Sequence, residues 1–253
     1  MLELKNIYKT FNPGTINEKV ALNGLNLTLN EGDFVTVIGG KSTMLNAVAG
    51  TWQVDEGQII IDGIDVTKLS EHKRAAYLGR VFQDPMTGTA ATMGIEENLA
   101  LAKRRGKTRL LKPGITKKER EEYKELLKVL GLGLEDRLTS KVGLLSGGQR
   151  QAITLLMASI KKPKLLLLDE HTAALDPKTA AKVLEISDKI IAENHLTAMM
   201  VTHNMKDAIV HGNRLIMMHE GKAILDKAGE EKKTINTEEI MAIFNRISVE
   251  CGN

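Results

Sequence analysis

Four consecutive leucines, Leu165 to Leu168, run directly into two acids, Asp169 and Glu170. A half-exposed strand or helix alternates polar and apolar positions. A short block that is apolar throughout fits an element covered on both faces. A strand inside a largely parallel sheet, with helices above and below, meets that demand. Its two terminal acids then lie at the carboxyl edge of the sheet, where open α/β folds bind ligands. The competing reading places them at a helix N-terminus, where acids favour the dipole.

The rest of the chain supports the α/β reading. Leu2 to Ile7 alternates as an edge strand does, and Val20 to Leu29 alternates again before the turn Glu31-Gly32-Asp33. Phe34 to Ile38 is a short β-rich run, Ser42 to Ala49 reads as the helix after it, and Gly57 to Gly63 as a strand between glycines. From Gln83 to Pro163 β-branched runs become rare. Lys117 to Leu130 is an amphipathic helix pattern closed by Gly131, and Gln149 to Ile160 is a second helix. Pro177 to Glu193 reads as a helix, Ala198 to Thr202 and Arg214 to Met218 as strands, and Asn236 to Val249 as a final helix.

Composition narrows the function classes. The 253 residues are 42% hydrophobic but only 3% aromatic, so aliphatic residues and methionine must fill the core; Met199, Met200, Met217 and Met218 are assigned there. Net charge is +3, from 35 basic and 32 acidic residues, which gives no reason to expect a nucleic-acid partner. The single cysteine, Cys251, cannot form an internal disulfide and fits a reducing compartment. Neither a signal peptide nor an apolar run of about 20 residues is visible, so any membrane crossing is expected to fall to another chain.

Two further strings carry chemistry. L-L-S-G-G-Q-R-Q, Leu144 to Gln151, precedes a helix. Ser146 and the amides of Gly147 and Gly148 could donate to a phosphate at that helix N-terminus; the plainer reading is a loop with a helix cap. V-I-G-G-K-S-T, Val37 to Thr43, has the lysine and hydroxyls of a phosphate-binding loop. Its spacing departs from G-x-x-x-x-G-K-[ST], because the position six before Lys41 is Val35.

Leu145 to Gln149 resembles the signature motif of ABC-transporter ATPase subunits, and other strings follow in that family's order. Arg80 to Asp84 (R-V-F-Q-D) resembles the Q-loop, Asp169-Glu170 the Walker B end with its catalytic glutamate, and Ala174-Leu175-Asp176 the D-loop. Val201-Thr202-His203 resembles the switch-histidine strand, and Phe11 stands where the family has an aromatic under adenine. The resemblance runs from about residue 2 to about residue 225.

It implies a P-loop NTPase-like α/β cassette. Residues 1–83 and 164–253 would form a RecA-like ATP-binding core with an antiparallel N-terminal β region, and residues 84–163 a helical signature subdomain. The implied ligands are ATP and Mg²⁺. Phe11 would stack on adenine, while Gly39, Gly40, Lys41, Ser42 and Thr43 would receive the phosphates. Ser42, Gln83 and Asp169 would hold Mg²⁺. Glu170 would orient or deprotonate water, and His203 would hold the γ-phosphate. Ser146, Gly147, Gly148 and Gln149 would close over nucleotide held by a second ATPase subunit, an identical copy by expectation, with Asp176 at that interface. Transmembrane permease subunits on the cytoplasmic side of a cell membrane, and an extracytoplasmic solute-binding protein, are the further partners implied. Import is favoured over export. A soluble ABC ATPase acting on protein or nucleic acid, and a non-catalytic dimerising subunit, are the alternatives.

The chain departs from the family in two places. His171 stands where the family commonly has proline, and either packs at the strand end or influences Glu170. The stretch V-I-G-G-K-S-T is about four residues short of V-I-G-x-N-G-x-G-K-S-T, and two extended residues reach only about 7 Å. A hydrogen bond to a charged group contributes roughly 1.5–3 kcal/mol, so losing three or four removes about 5–10 kcal/mol. At 1.4 kcal/mol per decade, ATP binding weakens by roughly three or more orders of magnitude. Three accounts stay open on residues alone: the molecule carries residues that the written sequence lacks, the loop is deleted, or the subunit has lost hydrolysis.

His195, His203, His211 and His219 recur every eight residues, but helix and strand alternate along the segment, so they are not expected to converge on a metal. The basic run Lys103 to Arg109 reads as a solvated loop, with lipid head groups as the alternative contact.

Overall fold

The computed structural model describes residues 1–39, 41–106 and 114–250, with the backbone alone at Lys41 and at 247–250. In chain order the elements are β1 (Leu2–Phe11), β2 (Lys19–Leu29), β3 (Phe34–Ile38), α1 (Lys41–Ala49), β4 (Glu56–Ile61), β5 (Ile64–Asp65) and α2 (Glu71–Arg74). There follow β6 (Leu78–Val81), α3 (Ile95–Lys103), α4 (Lys117–Lys128), α5 (Gly147–Ser159), β7 (Leu165–Asp169) and α6 (Pro177–Asn194). The chain closes with β8 (Thr197–Val201), α7 (Met205–Val210), β9 (Arg214–His219), β10 (Lys222–Ala228), α8 (Glu230–Thr234) and α9 (Thr237–Glu250). They divide into two compact units, Met1–Lys68 with Thr197–Asn253, and Leu69–Leu196.

In the first unit β3 lies between β8 and β9, parallel to both, and β10 adds antiparallel to β9. All five β3 residues are buried. Thr36 is the polar one, and its hydroxyl donates to the Ala208 carbonyl at 2.7 Å, which removes the penalty for burying it. Met199, Met200, Met217 and Met218 are each at most 1% exposed and fill this core, as the scarcity of aromatics requires.

A second, antiparallel sheet runs β2-β1-β4-β5. Here one expectation is corrected. Residues Leu2 to Ile7 were expected at a sheet edge, yet β1 pairs with β2 on one side and β4 on the other. Alternation reports that one face is covered; it says nothing of how many strands flank the element. The single strand expected over Gly57 to Gly63 ends at Ile61. There Asp62 and Gly63, with φ of 52° and 76°, make the tight turn into β5.

The C-terminal helices belong to the core of this unit. Ile235 and Ile240 pack in one cluster with Ile38, Ala208, Leu215 and Met217. Lys232 of α8 is 3% exposed. Its ammonium donates to the carbonyls of His211 and Gly212 and to the Thr36 hydroxyl, so the buried charge is surrounded by acceptors.

In the second unit β6 and β7 pair in parallel, Leu78 opposite Leu165. Leu165 to Leu168 are all 0% exposed, so the leucine block is covered on both faces. Helix α4 starts on a capping box in which Glu119 N–H donates to Thr116 Oγ1 and the Glu119 carboxylate accepts from Thr116 N–H. Arg120 grips Glu96 of α3 with two hydrogen bonds of 2.6 and 2.8 Å.

The two leucine environments give a test. Leu167→Ala should lower stability by about 2–5 kcal/mol, because the cavity lies between two covered faces. Leu101→Ala on α3, where the side chain is 55% exposed, should change it by about 0.5 kcal/mol or less. Urea unfolding of both variants checks this; equal costs would contradict the assignment of β7 to the core.

Candidate functional site

Strand β3 ends at Ile38 and α1 begins at Lys41, so two residues make the connection. Gly39 has φ of +73°, and a Cβ there would lie 2.2 Å from the Met218 carbonyl oxygen. Both facts require glycine. Gly40, expected to bind phosphate, lies outside the described residues, as do 107–109 of the basic run and Cys251. Lys41 opens α1 as expected, and its side chain is likewise outside the description.

Beside this connection is a cavity of about 700 Å³ bordered by Ser42, Thr43, His203, Lys19 and Glu220, among others. Three predicted site residues therefore meet at one opening. His203 is exposed and follows β8. The residues flanking it are tied down. Thr202 N–H donates to the Val37 carbonyl at 3.1 Å, and Asn204 N–H donates to Thr202 Oγ1 at 3.0 Å. Asn204 Oδ1 caps α7, accepting from the amides of Lys206 and Asp207. Burial raises the Asp207 carboxyl above its ordinary range, partly opposed by His211.

Phe11 ends β1 and pairs in register with Lys19, one of the residues on the cavity rim. Its ring meets Trp52 edge to face, 4.8 Å between centroids at 79°. A second cavity of about 430 Å³ is bordered by Ile38, Gly39, His203, Met217, His219 and Phe244, among others.

The second unit carries the remaining predicted residues. Gln83 is exposed in the loop after β6. The carbonyl before it, Phe82 O, accepts a 3.0 Å hydrogen bond from Gln151 of α5, a side chain that is 0% exposed. Asp169 and Glu170 follow one another at the end of β7. Arg80 of β6 holds Asp169 Oδ2 at 2.9 Å, with both side chains less than 20% exposed. Glu170 has φ of +46°, an uncommon conformation for a side-chain-bearing residue. His171 is 2% exposed and lies 3.0 Å from the Ser187 hydroxyl of α6.

The signature residues start α5 with a capping box. Gln149 N–H donates to Ser146 Oγ at 3.3 Å, and Gln149 Oε1 accepts from Ser146 N–H at 3.2 Å. Because Ser146 accepts through oxygen, its hydroxyl hydrogen is left for a donor role. The two glycines differ. A Cβ at Gly147 would lie 3.2 Å from Leu175, whereas one at Gly148 would lie 2.1 Å from the Thr179 methyl carbon. The close approach at Gly148 is thus to the first turn of α6. Asp176 caps that helix by accepting from Thr179 N–H at 3.1 Å, and hydrogen bonding from the Thr179 hydroxyl first, then from this amide, holds its carboxyl below the ordinary aspartate value.

Sequence reasoning missed Trp52, Thr179 and Ser187, and gave Arg80 and Gln151, which stand inside the quoted strings, no role of their own. Gln151 left a signal, a second glutamine two positions after Gln149. The others become visible only when distant segments meet.

Gly148→Ala should destabilise the chain by about 1–3 kcal/mol through overpacking against Thr179. Thr179→Ser removes the offending methyl and should recover much of that loss in the double variant. A double-mutant cycle of urea midpoints measures the coupling, and strictly additive effects would show that the contact is not the cause.

With this geometry in place, the chain was compared with known proteins. A family model described as ABC transporter matches residues 22–173. The tyrosine transport ATP-binding protein of Clostridioides difficile (strain R20291) is 45% identical, over 96% of this chain and 98% of that one. The spermidine/putrescine import ATP-binding protein PotA of Haemophilus ducreyi is 35% identical over 91% of this chain, which spans only 59% of that longer protein. Among solved structures, a dimeric ATP-binding cassette in a post-hydrolysis state with ADP and Pi is similar. Its TM-score is 0.75 at 31% identity, covering 90% of this chain and 98% of that one. The ADP conformation of another ABC-transporter cassette gives a TM-score of 0.78 at 26% identity, over 96% and 98% of the two chains.

Proposed function

The chain belongs to the ABC transporter family, and from that premise we propose that it energises import of an amino acid or other small organic solute. It is the ATP-binding and hydrolysing subunit, working with separate permease subunits and pairing with a second ATPase subunit. The observation that carries the nucleotide assignment is the cavity where Ser42, Thr43 and His203 meet beside the first turn of α1. Hydroxyls, an imidazole and the N-terminus of a helix suit an anionic ligand there. The amino-acid assignment rests on the tyrosine transport relative, which matches across nearly its full length.

In this reading Phe11 stacks on adenine, its ring steadied by Trp52. Lys41, Ser42 and Thr43 receive the phosphates, with Gly39 and Gly40 ahead of them. Ser42, Gln83 and Asp169 offer a hydroxyl, an amide oxygen and a carboxylate, the hard oxygen donors that Mg²⁺ takes. Bound Mg²⁺ neutralises phosphate charge. Asp169 already shares one carboxylate oxygen with Arg80, which fixes its orientation. Glu170 orients or deprotonates the attacking water, and His203 holds the terminal phosphate in place. Catalysis of this kind is positioning and charge neutralisation.

The second copy contributes through the signature loop. Ser146, Gly147 and Gln149 of one subunit donate toward nucleotide on the other, with Gly148 setting the α5 backbone and Asp176 at the subunit boundary. Residues 84–163 form the helical signature subdomain in this reading. A cytoplasmic-face location and an extracytoplasmic solute-binding protein complete the assembly. Among the described residues no helix is long and apolar enough to cross a membrane.

The two-residue connection sets the nucleotide affinity. Restoring four residues between Gly39 and Gly40 should tighten Mg²⁺-ATP binding by about three orders of magnitude, from three or four added charge-assisted hydrogen bonds. Calorimetric titration of both forms checks this, and equal affinities would show that the short connection already cradles the phosphates. In a strain lacking the chain, the restored form should rescue uptake of labelled tyrosine and the short form should rescue it only weakly. Uptake indifferent to either would overturn the amino-acid assignment.

A further inference from the structure

Glu170 has a left-handed backbone, φ +46°, that nothing in its own chemistry favours. Such a conformation persists when its neighbours over-determine it. Before it, Asp169 is fixed to Arg80 at 2.9 Å. After it, His171 is 2% exposed and its Nε2 lies 3.0 Å from Ser187 Oγ, itself on a side chain that is 0% exposed. Ser187 donates its hydroxyl hydrogen to the Val183 carbonyl at 2.9 Å, so toward His171 it can only accept. Nε2 of His171 therefore carries the hydrogen. The Glu170 carbonyl also accepts from Ala173 N–H at 2.9 Å.

The substitution of histidine for the proline common at this position has a physical meaning here. Proline would stiffen the segment after the glutamate through its ring. His171 achieves the same restraint through a buried tether to α6. We propose that His171 and Ser187 are positioning residues that fix the direction in which Glu170 presents its carboxylate. This rests on the reading of Glu170 as the group that orients the attacking water.

The test is steady-state ATP hydrolysis by the full chain, run in parallel with the form carrying four restored residues so that turnover is measurable in at least one background. Ser187→Ala should lower kcat about tenfold, the scale expected for a misdirected catalytic group. KM for ATP should change by less than about twofold, since ground-state binding is untouched. His171→Leu should behave like Ser187→Ala. His171→Gln offers an Nε2–H of similar reach and should keep kcat within about threefold of the parent. A purely structural tether would instead lower the melting temperature of the three variants without separating kcat from KM. If Glu170→Gln stalls turnover while Ser187→Ala and His171→Leu keep the parent kcat, the positioning role is wrong and the base stands. If Glu170→Gln turns over normally, the reading of Glu170 itself fails.

Discussion

A strand buried on both faces has no water to satisfy its amides, and β3 meets that demand by pairing in parallel with β8 on one side and β9 on the other. Much else in the first unit follows from this arrangement. Parallel neighbours end at the same edge, so β3 delivers Gly39 at the edge where β8 delivers His203. The buried Thr36 hydroxyl then ties β3 to α7, and Lys232 closes the same knot from α8. A residue at the end of such a strand inherits the rigidity of the whole layer, which is what a group handling phosphate needs.

Against that rigid frame the connection from β3 to α1 is the anomaly. A full phosphate-binding loop wraps an anion in successive backbone amides, a concavity made of chain rather than side chains. Two residues provide too little chain for that, although α1, its hydroxyls and the cavity beside them are all in place. Gly39 is held from both sides, by its φ of +73° in the turn and by the Met218 carbonyl across the layer.

Elements whose burial pattern is extreme were legible in the sequence. The leucine block gave β7 because no exposed element can be apolar throughout, and the charged repeat of α4 showed its period, though not its Thr116 cap. Strand β10 was missed because K-A-I-L-D-K-A is half exposed and polar, and β6 because four residues with a glycine carry little pattern. The edge position assigned to β1 failed because face coverage and edge pairing are independent. At the site, ordered motifs located Ser42, Thr43 and His203, which meet at one cavity. The residues that hold the motifs in place, Arg80 on Asp169, Gln151 on Phe82 and Ser187 on His171, act across 89, 69 and 16 positions. Local periodicity carries no information about such partners.

The division of the chain bears on how it is made. The second unit is one uninterrupted stretch, Leu69–Leu196, whereas the first is assembled from Met1–Lys68 and Thr197–Asn253. During synthesis the middle of the chain can fold as soon as it emerges. Strand β3, made early, must wait for β8 and β9 before either of its edges is paired in the native way. Until then the nascent chain carries a largely apolar strand with both edges open, the kind of segment that invites mispairing and chaperone attention. That exposure ends only when Thr197–Val201 and Arg214–His219 have been made and have paired with it.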